Sequence, residues 1–160
     1  MRFAILALLV ACGGGELHTS SPDDFPSLQG RPVYSAALDV APDDVSTVWP
    51  LVEEALAAEV TDVDAWSRER AQLIQRLDPE WGRLAQGDVD ERLFAAVTRG
   101  LLYHDLASRA PSPERRAEAV GEARRAYAVC VREAPSADEV LKDWSATCIE
   151  RSNALDALEN

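Results

Sequence analysis

Basic charge is scarce in this chain. Sixteen Lys and Arg residues stand against 28 Asp and Glu, a net charge of −12, and Lys142 is the one lysine. A surface of that sign repels nucleic acid and anionic lipid headgroups, so no nucleic-acid partner is expected. Histidine is scarcer still, with only His18 and His104. No histidine pair stands at the i, i+4 spacing of a zinc helix, and no calcium loop with its central glycine is present. Gly13, Gly14 and Gly15 precede no phosphate-binding helix. Neither a metal nor a cofactor is therefore expected. A long apolar run is missing too: the run from Phe3 to Val10 has eight residues, against the roughly 20 that cross a bilayer.

The same scarcity limits catalysis. A Ser-His-Asp or Cys-His site needs an imidazole within reach of a nucleophile. His18 lies in a Gly-, Ser- and Pro-rich stretch and reads as solvated linker. His104 stands in Tyr103-His104-Asp105, inside a strongly helical stretch where successive side chains point in different directions, so Asp105 does not orient it. It reads as a partly buried structural residue, and no catalytic residue is assigned. The acidic pairs at Asp43-Asp44, Glu53-Glu54, Asp62 with Asp64, and Asp88 with Asp90-Glu91 fall mostly in first helical turns. There carboxylates favour the positive end of the helix dipole.

The amino-terminal segment reads as an address. Arg2 precedes the short run Phe3 to Val10, the pattern of a signal peptide and not of a membrane span. The run closes on Leu9-Val10-Ala11-Cys12, which resembles the lipobox of bacterial lipoproteins. That resemblance covers residues 1–12. It implies that residues 1–11 are removed and that Cys12 becomes the first mature residue, with a diacylglycerol on its sulfur and an acyl chain on its amine. Two or three chains hold a protein stably, where one is marginal. Gly13 stands where an Asp would retain the protein at the inner membrane, which implies the outer membrane, facing the periplasm. An ordinary secretory signal is the alternative.

Residues 12–33 then form a lipidated Cys and a tether rich in Gly, Ser, Pro and Asp, without apolar periodicity. About 20 flexible residues span roughly 25 Å, enough to lift the folded part clear of the headgroups. Residues 34–160 are expected to be one α-helical domain. Asp78-Pro79 and Ser112-Pro113 each offer a capping side chain followed by Pro at the first helical position. Thr61, Asp88 and Ser136 begin capping patterns as well, the last two with Glu91 and Glu139 three residues on. Between these starts the apolar residues recur at helical spacing: Val63, Trp66, Leu73 and Leu77, a stripe interrupted by Arg70; then Val89, Leu93, Val97 and Leu101. Two further stripes follow, Ala117 to Ala134 and Val140 to Leu155. The spacing predicts helices near 48–60, 62–77, 88–109, 113–134 and 137–158, with a short one near 79–86. Pro50 would cost about 3 kcal/mol inside a helix, so the first helix is expected to start close to it. Connections of two to four residues leave antiparallel neighbours as the natural arrangement. The fold class is all-α, an antiparallel helical bundle or a short stack of helical hairpins.

One hairpin is more specific. Ala123, Tyr127, Cys130 and Pro135 stand at the spacing of the second helix of a tetratricopeptide repeat, and Gly100 with Tyr103 match the Gly-x-x-Tyr of its first. The segment 96–135 thus resembles a tetratricopeptide-like hairpin. The resemblance implies that Gly100 and Ala123 let two helices approach closely while Tyr127 fills the space beside them. Ala96 and Arg99 depart from the family's Trp and Leu, the interval from Tyr103 to Ala123 is about ten residues too long for a 34-residue unit, and no second copy is present.

Cys130 and Cys148 remain as an even pair in the oxidising compartment that export implies. A disulfide is one reading. In a straight hairpin turning at Pro135 the two lie roughly 10 Å apart along the axis, beyond the usual 7 Å between bridged Cα atoms, unless the last helix starts late or the pair crosses steeply. Two buried thiols are the alternative. On residues 113–134, Arg115, Arg116, Arg124 and Arg125 alternate with Glu114, Glu118 and Glu122 as a solvated face or, alternatively, a partner surface.

Two functions of different class follow. The first is a lipid-anchored helical adaptor or assembly factor that holds another envelope protein in a groove between helices, with Trp66, Tyr103 and Trp144 as aromatic anchors. In helical build, tether and cysteine pair it resembles the small lipoprotein pilotins that escort secretins. The second is a periplasmic enzyme or small-ligand binder with a pocket inside the bundle, with His104 converging on several polar groups.

Overall fold

The computed structural model describes residues 42–137, 142 and 144–159. Cys12 and the expected signal peptide and tether lie outside the described residues. The described chain is an all-α bundle without a strand: α1 (Pro42–Ala57), α2 (Val63–Leu84), α3 (Val89–Arg109), α4 (Pro113–Glu133) and α5 (Trp144–Ala154). Short 3-10 turns follow α4 at Ala134–Ser136 and α5 at Leu155–Leu158.

Local chemistry explains most boundaries. At the start of α3 the Asp88 carboxylate accepts from the Glu91 N–H at 2.9 Å while Glu91 accepts from the Asp88 N–H at 2.9 Å, the reciprocal capping box. Ser112 caps α4 through its hydroxyl, with Pro113 at the first helical position. The cap of α2 is Asp62, one residue beyond Thr61, because its carboxylate reaches the N–H groups of both Asp64 and Ala65.

The two interior prolines behave otherwise than expected. α1 begins at Pro42 and carries Pro50 inside it. α2 runs unbroken through Pro79 to Leu84, merging the helices expected at 62–77 and 79–86, so Asp78 does not cap a new one. A proline inside a helix costs about 3 kcal/mol. Burying Trp81 and Leu84, which extend the apolar face of Leu73 and Leu77, is worth roughly 1.5–3 kcal/mol per side chain and offsets it. In α1 the buried Val48, Trp49 and Val52 do the same for Pro50. The last helix starts late, at Trp144 and not at 137.

The centre of the bundle is α3, which packs against α4, α2 and α1 and is buried on most of its circumference. α4 packs on its other side against α5. Trp49, Trp81, Phe94, Leu101 and Tyr127 are among the largest buried side chains. The indole N–H of Trp81 donates to the Thr98 hydroxyl at 3.0 Å, which itself donates to the Phe94 carbonyl at 2.8 Å, so burial leaves this polar edge satisfied. Where α3 meets α4, a methyl group built on Gly100 would lie 2.5 Å from the Tyr127 ring, and Ala123 is fully buried. The close approach therefore requires glycine at residue 100. Cys130, near the end of α4, and Cys148, in the first turns of α5, form a disulfide with Cα atoms 6.3 Å apart. The late start of α5 removes most of the axial offset that a hairpin turning at Pro135 would impose. No described helix is long and apolar enough to cross a membrane.

Candidate functional site

Because α3 is flanked by α2 on one side and α4 on the other, the two outer helices leave a furrow above it. Its wider stretch encloses about 740 Å³. Tyr103 and Leu106 of α3 form the floor, Ser67, Ala71, Ile74 and Gln75 of α2 one wall, and Arg115, Glu118 and Ala119 of α4 the other. A second stretch of about 440 Å³ continues toward the opposite end between Trp81 and Ala85 of α2, Ala95 and Ala96 of α3, and Ala126 and Val129 of α4. The antiparallel order of the three helices makes these one groove, and Arg99 lines both halves.

Arg99 is the waist. From α3 its guanidinium lies 3.6 Å from Asp78 on α2 and 3.3 Å from Glu122 on α4, and it stands over the rings of Trp81 and Tyr103 at 5.9 and 5.6 Å. Arg125 also pairs with Glu122, at 2.5 Å, and that hydrogen bond holds the Glu122 carboxyl below its usual range. Burial pushes the Tyr103 phenol up, with Arg99 opposing. Arg68 and Arg115, on opposite walls of the wider stretch, are exposed and make no ion pair among the described residues.

A separate polar cluster lies beneath the surface between α1, α2 and α3. The Arg70 guanidinium donates to the Ala55 carbonyl at the end of α1 and lies 2.8 Å from Asp105 of α3, with the two side chains only 4 % and 2 % exposed. Arg109 approaches the other Asp105 oxygen at 3.7 Å. The Trp66 ring lies within 5.3 Å of Arg70 and 5.6 Å of Arg109. Burial pushes the Asp105 carboxyl up and the Arg70 guanidinium down, while each partner's charge opposes the other's shift. This cluster ties three helices together. It presents no nucleophile and no imidazole.

His104 and Asp105 diverge, as neighbours on a helix do. Asp105 faces Arg70 on α2, whereas His104 is buried against α4 with Nδ1 3.3 Å from the Tyr127 hydroxyl. Of the three aromatic anchors expected, only Tyr103 lines the groove. Trp144 is 2 % exposed and Trp66 6 %; the first belongs to the core, and the second borders a smaller cleft of about 230 Å³ between α1 and α2. Both indoles are therefore largely enclosed, and neither lies in the groove. No group of His, Cys, Asp and Glu suited to a metal occurs among the described residues.

Sequence reasoning passed over Arg70 and Asp105 as a pair. Their signal was present: Arg70 breaks the apolar stripe of α2, and Asp105 falls four residues after Leu101 on the stripe of α3. Two charges on two core-facing stripes call for each other. No family model matches the chain, and neither a curated protein nor a solved structure matches it.

Proposed function

We propose that the chain is a lipid-anchored envelope protein that serves as a helical adaptor or assembly factor, holding another envelope protein in the groove between α2 and α4. The observation that carries this reading is the groove itself: two parallel walls of helix over a floor with a half-buried tyrosine, open to solvent on either side of the Arg99 waist. Such a furrow suits a helix laid into it, a recurrent mode of peptide recognition. The anchoring half of the reading rests on Leu9-Val10-Ala11-Cys12. The disulfide supports it, since bridges of this kind persist in oxidising compartments. Fold likeness adds nothing to the function here, so the site alone bears it.

Two experiments test the two halves. Labelling cells with a radioactive fatty acid is expected to mark the wild type and not Cys12→Ser; label retained by the mutant refutes the anchor. A photo-crosslinking amino acid placed at Ala71, an exposed wall residue, is expected to capture one envelope protein in intact cells. A tightly bound small molecule in the purified protein, with no captured partner, would replace the adaptor with a ligand-binding role.

A further inference from the structure

The groove differs in charge from the rest of the molecule. It is lined by Arg68, Arg92, Arg99, Arg115, Arg125 and Arg132, against Asp78, Glu118 and Glu122. With Glu133, which pairs with two of these arginines, six guanidinium groups stand against four carboxylates, a local positive excess in a chain whose net charge is −12. Four of the six are engaged: Arg92 and Arg132 with Glu133, Arg99 with Asp78 and Glu122, and Arg125 with Glu122. Arg68 and Arg115 carry no such pair among the described residues, and they face each other's wall across the apolar floor of the wider stretch. A free guanidinium on each side of a greasy furrow is complementary to a carboxylate on each flank of an apolar stripe.

We infer that the groove's occupant is an acidic amphipathic helix of a partner protein, its apolar face set on Tyr103 and Leu106 and its flanking Asp or Glu residues held by Arg68 and Arg115. This deepens the adaptor reading and rests on it for the use of the groove in cells. The dimensions fit. From Arg92 to Leu106 the floor runs about 20 Å, the length of roughly four helical turns. The small lining residues Ala71 and Ala119, and beyond the waist Ala95, Ala96 and Ala126, leave room for bulky apolar side chains from the incoming helix. The strongly acidic remainder of the molecule repels the same helix elsewhere, which concentrates its landing on this face.

The test uses two synthetic, end-blocked helical peptides of about 16 residues with the same Leu and Ala face. One carries Glu on both flanks and the other Lys. Binding to the folded protein is followed by fluorescence anisotropy. The Glu-flanked peptide is expected to bind roughly tenfold or more tightly than the Lys-flanked one, a gap that narrows as salt is raised. Arg68→Glu with Arg115→Glu is expected to invert the preference. Inversion also shows that the variant is folded. Arg76→Glu, on the far face of α2 beside the smaller cleft, is expected to leave the preference intact. Equal affinity for both peptides, or no binding of either, overturns the inference. So does binding of phosphatidylglycerol vesicles that the double substitution abolishes while peptide binding stays unaffected, which would make the groove a headgroup site. The Ala71 crosslink separates the two levels: a captured partner that contacts the groove through a basic or neutral segment overturns the inference and leaves the adaptor standing. Selective binding of the Glu-flanked peptide with no cellular capture supports the groove's preference and removes the adaptor.

Discussion

Arg70→Met offers the sharpest test of how the bundle is held. The substitution keeps most of the aliphatic volume but removes the guanidinium that donates to the Ala55 carbonyl and neutralises Asp105. The carboxylate would then sit 2 % exposed with only Arg109, at 3.7 Å, for a counter-charge. Breaking a buried pair by removing one partner costs about 3–5 kcal/mol, whereas an exposed pair is worth at most about 1 kcal/mol. The sign of the pH dependence discriminates further. Burial already raises the Asp105 carboxyl above its ordinary 3.8, and losing Arg70 raises it more. A carboxyl raised in the folded state stabilises most at low pH, and that stability is lost as pH rises from 3.8 through the folded value. The penalty of Arg70→Met should therefore be largest at neutral pH and shrink on acidification, as Asp105 takes up a proton. What remains at low pH is the lost charge-assisted hydrogen bond to the Ala55 carbonyl, which still accepts from the Ala58 N–H at 3.4 Å, on the order of 1–3 kcal/mol. Urea unfolding followed by circular dichroism at several pH values measures both quantities. Arg70→Met combined with Asp105→Leu should recover wild-type stability or exceed it, because replacing a buried pair with apolar groups is often neutral or favourable by about 1–4 kcal/mol. A single-mutant penalty below about 1 kcal/mol, or one that does not vary with pH, would refute the reasoning and place the pair effectively in solvent.

The disulfide closes a loop with a sequence separation of 18, so replacing Cys130 and Cys148 together by Ser should cost about 3 kcal/mol by chain entropy, read as a lower urea midpoint. Both sulfurs are buried, and a reductant should open the bridge only where denaturant has first opened the fold. Glu133 is held below its ordinary 4.5 by hydrogen bonds from Arg132 and Arg92; its contribution is present above 4.5 and lost as pH falls through the lowered value. Glu133→Gln should accordingly flatten the acid limb of the stability profile measured by thermal unfolding. Gly100→Ala would place a methyl 2.5 Å from the buried Tyr127 ring and should cost about 1–3 kcal/mol by overpacking. An unchanged melting temperature in that variant would mean that α3 and α4 lie farther apart than described.

The helical hairpins were legible because their signals are local. Asp88 with Glu91, and Ser112 before Pro113, carry within four residues all the chemistry needed to start a helix, and each helix begins where that chemistry stands. The boundaries at Pro50 and Pro79 were not legible, since a local cost of about 3 kcal/mol competes with burial that depends on distant partners. Trp81 keeps α2 going because Thr98 and Leu84's neighbours are waiting for it across the core, and nothing near residue 79 says so. Gly100 and Tyr127 lie between these cases. Their residue types announce a close helix crossing, and the structure puts the ring against the glycine.

The groove was legible only as a class of feature, not as a place. Its floor residue Tyr103 was visible, yet the choice of Trp66 and Trp144 as companions followed a rule about residue type, and both indoles are largely or wholly enclosed. Which aromatic stays accessible depends on how α2 and α4 flank α3. That is set by α4 turning its other face to α5, an interaction fastened by Cys130 and Cys148. The same arrangement decides the charge of the groove. In the sequence Arg115 belongs to an alternation of Arg and Glu along one helix; in the structure it makes no ion pair among the described residues and stands on one wall, opposite Arg68. On a single helix the alternation of Arg and Glu reads as neutral. Only the juxtaposition of α2 with α4 converts it into a positive furrow on an acidic molecule. For that reason a charge swap confined to Arg68 and Arg115 is the most direct way to learn whether the furrow selects its partner.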